Sequence, residues 1–175
     1  MQGGSYTDFL AGVAPETVQP GSIVDTSGRV RGRHAGVAFY TIGQRKRINV
    51  GSPVPLYVIG LDPQSQMVIV GSDDELRAQA LLAYDCNWVG APGAESAMRI
   101  CAKIRYNMDA QPATVESADG DGILVTFDEP QRAVTPGQAV VMYDGDVVVG
   151  GATIERSIDS AESRPVAEDQ VVYER

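Results

Sequence analysis

A strict alternation of apolar and polar residues between positions 98 and 106 limits the possible folds of this chain more than any other feature. The apolar members are Met98, Ile100, Ala102, Ile104 and Tyr106, and the residues between them are Arg99, Cys101, Lys103 and Arg105. A period of two over nine residues predicts a strand with one buried face and one basic, outward face. A helix would spread the same apolar residues around its axis, so the pattern excludes a helix here.

Five more segments in the second half of the chain have the composition of strands. They cover residues 81–89, 113–117, 123–127, 138–143 and 147–154. Turn residues separate them, including Asp119-Gly-Asp-Gly122, Pro136-Gly137 and Asp144-Gly-Asp146. Six short strands with almost no helix favour a closed, six-stranded antiparallel β-barrel over residues 79–156, because closure removes the edge strands.

The first 78 residues predict a smaller α+β domain, so that the chain as a whole is mainly β. Hairpins are indicated over 21–31 and over 54–71, where Asp62-Pro-Gln-Ser65 forms the turn. Short helices are indicated over 6–13 and 41–46, and Ser72-Asp-Asp-Glu75 has the capping-box pattern of a helical turn that ends near Ala78. Residues 157–175 are polar and acidic and predict a mobile tail.

The charge of the chain is unevenly distributed. Its 175 residues carry 14 Lys and Arg against 23 Asp and Glu, a net charge of −9 that argues against a nucleic-acid-binding protein. Yet six of the basic residues lie between Arg29 and Arg47, and Asp25 is the only acid between positions 21 and 61. The potential near a segment depends on charges within a Debye length of about 8–10 Å, so this segment can still attract phosphate.

Other classes of protein are excluded by what the sequence lacks. It has no apolar run long enough to span a membrane, no signal peptide and no glycine-rich nucleotide-binding loop. One histidine, His34, and two cysteines, Cys86 and Cys101, are too few for an ordinary zinc site. Two thiols fit a reducing, cytoplasmic location, and structural roles are favoured for all three side chains.

Three short motifs are candidates for binding RNA. Gln44, Arg45 and Lys46 offer an amide and two cations for bases and phosphates; the alternative is a solvated loop that pairs with acids of the same protein. Arg105 and Tyr106 can hold a phosphate and stack on a base, or instead pair with an acid and cap the core. Gln138 follows a Pro-Gly turn and begins a strand, which by itself is most simply an ordinary turn.

Several motifs, taken in order along the chain, resemble the tRNA-specific 2-thiouridylases. They are Gly32-Arg-His-Ala-Gly36, Tyr40-Thr-Ile-Gly-Gln-Arg-Lys46, Pro55-Leu-Tyr-Val-Ile59, Ala102-Lys-Ile-Arg-Tyr106, Phe127-Asp-Glu-Pro130, Thr135-Pro-Gly-Gln138, Tyr143-Asp-Gly-Asp146 and Gly150-Gly151. The resemblance covers roughly residues 4–154. The chain departs from the family pattern at Arg47 and Ala152, where glycine is usual.

The resemblance implies the central and C-terminal domains of an enzyme that thiolates uridine 34 of tRNA with ATP and persulfide sulfur. The barrel would resemble the second domain of translation elongation factors, and Arg105, Tyr106 and Gln138 match positions expected to contact tRNA. ATP, Mg²⁺ and the two catalytic cysteines would belong to an N-terminal domain, so no catalytic residue or cofactor is expected in this chain. The expected partners are tRNA and, for the full-length enzyme, a sulfur-relay donor protein, without a membrane. A protein-interaction barrel that binds no RNA is the alternative.

Overall fold

The computed structural model describes residues 13–89, 93–94 and 96–158. Two compact units make up the chain. The first contains the described residues through Arg77 together with Gln131–Thr135, and the second contains Ala78–Pro130 and the residues from Pro136 onward. The short segment 131–135 is therefore grouped with the first unit, although the chain on both sides of it belongs to the second.

The first unit is built on a four-stranded sheet. Its strands are β1 (Gly21–Asp25), β2 (Val30–His34), β3 (Tyr57–Asp62) and β4 (Met67–Gly71), in the order β2-β1-β4-β3. The pairs β1–β2 and β3–β4 are antiparallel, which confirms both predicted hairpins, and β1 runs parallel to β4. The second hairpin is shorter than predicted and starts at Tyr57 rather than 54, because the prolines at 53 and 55 have no N–H for a strand ladder.

The helices of the first unit are short 3-10 turns, at Pro15–Val18, Val37–Phe39 and Asp74–Leu76. The last begins at the predicted capping box, in which the N–H of Ser72 donates to Oε2 of Glu75 at 2.7 Å. It ends sooner than predicted because Arg77 already begins a strand. The helix predicted over 6–13 lies outside the described residues except for Val13.

The helix predicted over 41–46 is wrong. The segment forms turns, and Gly43 has a φ of 86° that a right-handed helix does not allow. The N–H of Gly43 donates to the carbonyl of Val58, and the N–H of Val58 donates to the carbonyl of Gln44, both at 2.8 Å. Hydrogen bonds to β3 thus replace the local bonds that a helix would need.

The core of the first unit lies on one face of its sheet. It consists of the buried residues Ile23, Val37, Ile48, Val58, Val68 and Val70. Each such aliphatic side chain contributes about 1.5–3 kcal/mol when it is fully removed from water. The residues that alternate with these along the strands face the opposite side of the sheet, and several of them, including Val24, Met67 and Ile69, are also apolar.

The second unit contains the predicted closed barrel. Its strands are β5 (Arg77–Trp88), β6 (Met98–Lys103), β7 (Gln111–Ser117), β8 (Ile123–Arg132), β9 (Ala139–Asp144) and β10 (Val147–Ile158). They close in the order β10-β5-β8-β7-β6-β9, which confirms a mainly β fold with a six-stranded barrel. β6 ends at Lys103, three residues before the alternation ends, and β10 continues to Ile158, four residues beyond the predicted end of that strand.

The walls of the barrel alternate between inward and outward side chains. On β9, Val140 and Met142 are fully buried inside. Ala139, Val141 and Tyr143 therefore face outward. Within the described ranges, no helix has the length and apolar character needed to cross a bilayer. The predicted tail lies outside the described residues from position 159.

Candidate nucleic-acid interface

A hollow of about 500 Å³ lies on the outer surface of the barrel, beside the end of β6. It is lined by Lys103, Ile104, Arg105 and Tyr106 on one side and by Gln138, Ala139, Val141 and Tyr143 on the other. The three barrel residues that the sequence singled out, Arg105, Tyr106 and Gln138, thus share one hollow although more than 30 residues separate the pair from the glutamine.

Strand pairing explains why these residues meet. β6 and β9 are antiparallel, with Lys103 opposite Val141, so the end of β6 lies beside the beginning of β9. Gln138 immediately precedes β9, and its backbone is fixed because its carbonyl accepts a hydrogen bond from the N–H of Ile154 at 2.8 Å. The preceding Gly137 has a φ of 79°, which allows the tight turn that delivers Gln138 to the hollow.

Tyr106 lies in a turn after β6 and exposes 92% of its surface. The interpretation in which this ring caps the core is therefore wrong; Ile104, only 2% exposed, has that position instead. The ammonium of Lys103 lies 5.9 Å from the centre of the Tyr106 ring. A cation beside an exposed aromatic face is an arrangement that suits a phosphorylated, aromatic ligand.

The basic loop of the first unit presents its cations to solvent. Arg45, Lys46 and Arg47 are all exposed, and no carboxylate among the described residues forms an ion pair with them. The alternative in which this loop is neutralised by acids of the same chain is not supported within that part of the structure. The three charges remain available for an external anion.

Gln44 has a structural task within the same loop. Its side-chain carbonyl accepts a hydrogen bond from the N–H of Thr41 at 3.1 Å, and its amide donates to the carbonyl of Lys46 at 2.8 Å. Both ends of the amide therefore hold the loop that presents the cations. The prediction that Gln44 itself contacts tRNA stays a prediction, and these bonds would have to open or be shared for it.

The other basic residues of this region differ in their surroundings. Arg31 forms an ion pair with Asp25 at 3.6 Å and donates to the carbonyl of Gly51 at 3.3 Å. Hydrogen bonds from Ser27 and Arg29 help to hold the pKa of the Asp25 carboxyl below its usual value, with the Ser27 hydroxyl as the main cause. Arg29 and Arg33 are exposed on or beside β2. Among the basic residues between 29 and 47, the ion pairs of the described residues thus compensate Arg31 and not the loop at 45–47.

His34 has the structural role that was favoured. Its ring is buried, its Nε2 lies 3.1 Å from the carbonyl of Gln66, and its edge meets the Tyr40 ring with 5.7 Å between centres. Burial outweighs the hydrogen bond and lowers the pKa of His34, which favours the neutral ring. A buried, neutral imidazole is poorly placed to contact RNA.

The two cysteines are free thiols. Cys86 lines a second hollow, of about 390 Å³, together with Asp85, Trp88 and Asp121. Burial, and then the carboxylates of Asp121 and Asp85, raise the pKa of the Cys86 thiol, so this sulfur is less reactive than an ordinary cysteine. The structural interpretation of Cys86 is therefore supported. Among the described residues, no cluster of three or more histidine, cysteine or acidic side chains could hold a metal ion.

Some residues of the barrel hollow were not predicted from the sequence to bind RNA. Lys103 was noted on the same strand face as Arg105, Tyr143 began a motif shared with the family, and Val141 was noted only as part of a strand. The two-residue spacing of Ala139, Val141 and Tyr143 indicates a common face of β9. The missing information is the pairing of β9 with β6, which turns that face into a wall of the hollow.

Two protein families match successive parts of the chain. Residues 7–72 match a family described as a tRNA methyl transferase PRC-barrel domain, and residues 78–154 match an aminomethyltransferase beta-barrel domain. Together the two matches cover most of both structural units.

Several curated relatives, all named tRNA-specific 2-thiouridylases, match most of the chain. A tRNA-specific 2-thiouridylase MnmA of Symbiobacterium thermophilum is 48% identical over 154 residues, covering 88% of this chain and 40% of the relative. MnmA 1 of a Thermoanaerobacter species is 44% identical, covering 87% of the chain and 42% of the relative, and MnmA of Moorella thermoacetica is 46% identical, covering 87% and 43%. The chain therefore spans about two fifths of the length of these relatives.

Proposed function

The chain belongs to the tRNA-specific 2-thiouridylase family, and from this premise we propose that it is the tRNA-binding, central and C-terminal portion of such an enzyme. In the full-length enzyme this portion would hold the tRNA while a separate ATP-binding domain thiolates uridine 34 with persulfide sulfur. ATP, Mg²⁺ and the sulfur-relay donor protein would act on that other domain, in the cytoplasm. The present chain would then be inactive by itself.

The observation that carries the proposal is the convergence of Arg105, Tyr106 and Gln138 on one hollow. These residues match positions where the family is expected to contact tRNA, and the fold brings them together from two distant parts of the chain. Their chemistry is complementary to RNA, because a guanidinium binds phosphate, a ring stacks on a base and an amide can pair with a base edge.

The exposed loop at 45–47 supplies a second group of cations, in the first unit. Phosphate contacts of this kind position a nucleic acid without reading its sequence. They also explain how a chain with a net charge of −9 can bind an anion, since the local surface and not the total charge determines attraction at short range.

Titration of tRNA against the chain at low and at moderate salt tests the proposal. Affinity should fall as salt increases, and Arg105→Ala or Lys46→Ala should weaken binding and lower the slope of log K against log salt by about one unit each. Arg99→Gln is the control, because Arg99 is also an exposed cation of the barrel but does not line the hollow. Equal effects of Arg99→Gln and Arg105→Ala would contradict the proposed site.

The inactivity of the isolated chain has its own test. Incubation with tRNA, ATP, Mg²⁺ and a persulfide donor should give no thiouridine, whereas a complementing ATP-binding domain should restore the reaction. Thiolation by this chain alone would overturn that part of the proposal.

A protein-docking role is the second candidate, and exposed apolar side chains favour it. Val89, Val147 and Val148 expose 52%, 64% and 42% of their surfaces on the barrel. Two of these valines, Val89 and Val148, line a hollow of about 330 Å³ together with Asp85, and its lining includes no basic residue. Absence of tRNA binding even at low salt would favour this reading.

A further inference from the structure

We propose that the hollow between β6 and β9 receives a single unpaired nucleotide, with its phosphate on Lys103 and its base on Tyr143 and Val141. The inference rests on the proposed tRNA-binding role and goes beyond it, because it names the form of RNA that this site accepts and adds three residues to the contact surface. An unpaired nucleotide would place its base against the hollow, whereas a duplex would contact the hollow only through its sugar-phosphate backbone.

The first step of the argument is the floor of the hollow. Ala139, Val141 and Tyr143 project outward from β9, and each lines the hollow. A site that held only duplex backbone would need cations and polar groups, and an apolar floor would contribute little to it. An aromatic base with both faces accessible can cover such a floor and remove it from water.

The second step is the position of the charges relative to that floor. Lys103 lies opposite Val141 in the strand pairing, so its stem borders the floor while its ammonium lies 5.9 Å from the centre of the Tyr106 ring. Arg105 lines the same side of the hollow. The positive groups are thus at one edge and the apolar surface is beside them, which matches a nucleotide with its phosphate at one end and its base at the other.

The third step concerns Tyr106 and Gln138. A tyrosine with 92% of its surface exposed has an aromatic face that the described part of the protein leaves uncovered. Gln138, also exposed, carries one acceptor and one donor group at the rim of the hollow. A glutamine amide can satisfy the edge of any base, so the site should tolerate all four bases.

The neighbouring hollow supports this assignment by contrast. It shares Ala139 and Val141 with the first, but the rest of its lining includes Asp85 and no cation. A phosphate placed there would be repelled rather than held. The two hollows are therefore adjacent apolar surfaces, and only the one beside Lys103 has the charge that a nucleotide requires.

Binding of hexauridylate and of a fully paired RNA duplex to the complete chain would test the inference. We expect the Kd for hexauridylate to be at least about tenfold lower than the Kd for a duplex with the same number of phosphates. Tyr143→Ala should weaken hexauridylate binding by about 5- to 150-fold, whereas Tyr143→Phe should retain it because the ring and not the hydroxyl stacks. Lys103→Gln should lower the salt slope by about one unit. Val148→Ala, in the neighbouring hollow, is the control and should change neither the affinity for hexauridylate nor the salt slope.

Nuclear magnetic resonance with small probes distinguishes the phosphate from the base. Uridine 5′-monophosphate should shift the ring signals of Tyr143 and the methyl signals of Val141, whereas inorganic phosphate should shift Lys103 without them. The inference is overturned if Tyr143→Ala leaves hexauridylate binding unchanged or if the duplex binds equally well. If tRNA binding still depends on Arg105 in that case, the proposed tRNA-binding function remains supported. If the unmodified chain binds no RNA at all, both the proposed function and this inference are contradicted.

Discussion

Arg99 and Asp128 form a two-pronged ion pair on the outer wall of the barrel. Nη1 of the guanidinium lies 2.7 Å from Oδ1, and Nη2 lies 2.8 Å from Oδ2. Nη1 also donates to the hydroxyl of Thr114 at 3.2 Å, so the contact joins β6, β7 and β8. Arg99 is thereby compensated, in contrast to the exposed cations of the loop at 45–47.

Substitution Arg99→Gln should raise the pKa of Asp128. The hydrogen bond from Arg99, followed by its charge, holds this pKa below the ordinary value of 3.8. A lowered carboxyl pKa contributes stability that is present above the unfolded pKa and is lost as the pH falls through the folded pKa. A carboxyl titration by nuclear magnetic resonance should show Asp128 returning toward 3.8 in the variant. Asp62 is the control, because Ser65 and not an arginine lowers its pKa; a parallel shift of Asp62 would contradict the assignment.

Substitution Gly21→Ala should disrupt the first unit. A Cβ at position 21 would lie 1.9 Å from the carbonyl oxygen of Gln66 and 2.8 Å from Nε2 of His34. Overpacking of this kind costs about 1–3 kcal/mol, and here the nearest atom belongs to the backbone and cannot swing aside. Urea unfolding followed by amide exchange of β1 and β4 would measure the loss.

The matched control for Gly21 is Gly51→Ala. A Cβ at position 51 would have no described heavy atom within 4 Å, and the φ of Gly51 is not in the left-handed region. This change should be neutral or should add about 0.4–1 kcal/mol by restricting the unfolded chain. Equal destabilisation by the two substitutions would show that close packing at Gly21 is not the cause.

The strands were predictable from the sequence because their signals are local. Alternation at 98–106 identifies β6, and the turn at Asp62 identifies the hairpin of β3 and β4. The loop at 41–46 was not predictable, since two hydrogen bonds to Val58, more than ten residues away, decide its conformation. The local sequence pattern of the loop does not indicate a hydrogen-bond partner that lies so far along the chain.

The candidate site shows the same division between local and distant information. Arg105, Tyr106 and Gln138 were identified by residue type and by resemblance. Val141 and Tyr143 were not, because their role depends on β6 lying beside β9, and the intervening chain makes two other strands of the barrel. Strand order in a closed barrel is set by the complete set of pairings and not by any one segment.

Substitution Arg47→Gly should stabilise the first unit while weakening tRNA binding. Arg47 has a φ of 66°, a left-handed conformation that costs a residue with a Cβ about 1–2 kcal/mol. Glycine, which is usual at this family position, removes that cost. Urea unfolding should show that the free energy of unfolding increases by up to about 1 kcal/mol. The increase is smaller than the strain removed, because glycine loses more backbone entropy on folding than arginine does.

Arg45→Gly is the control for Arg47→Gly, because residue 45 is not in the left-handed region. It should destabilise the loop, although it removes the same charge. Both variants should reduce the salt dependence of tRNA binding by about one unit if the loop contacts phosphate. A stability gain at position 45, or none at position 47, would contradict the strain at Arg47.

The stability of the first unit should decrease as the pH falls below about 6.5 because of His34. Burial holds the pKa of the folded ring below 6.5, so the unfolded chain binds a proton first as the pH falls. The contribution of His34 to the free energy of unfolding is therefore fully present above the unfolded pKa. It declines below about pH 6.5, by up to about 1.36 kcal/mol per pH unit, until the folded pKa is reached. His34 is the only histidine in the sequence, and aspartate and glutamate ordinarily titrate near pH 4, so few other groups respond in this window. Urea unfolding at several pH values would show this slope in the wild-type chain and a flat profile in His34→Gln, whose amide does not titrate. An equal slope in the variant would mean that a different group binds the proton.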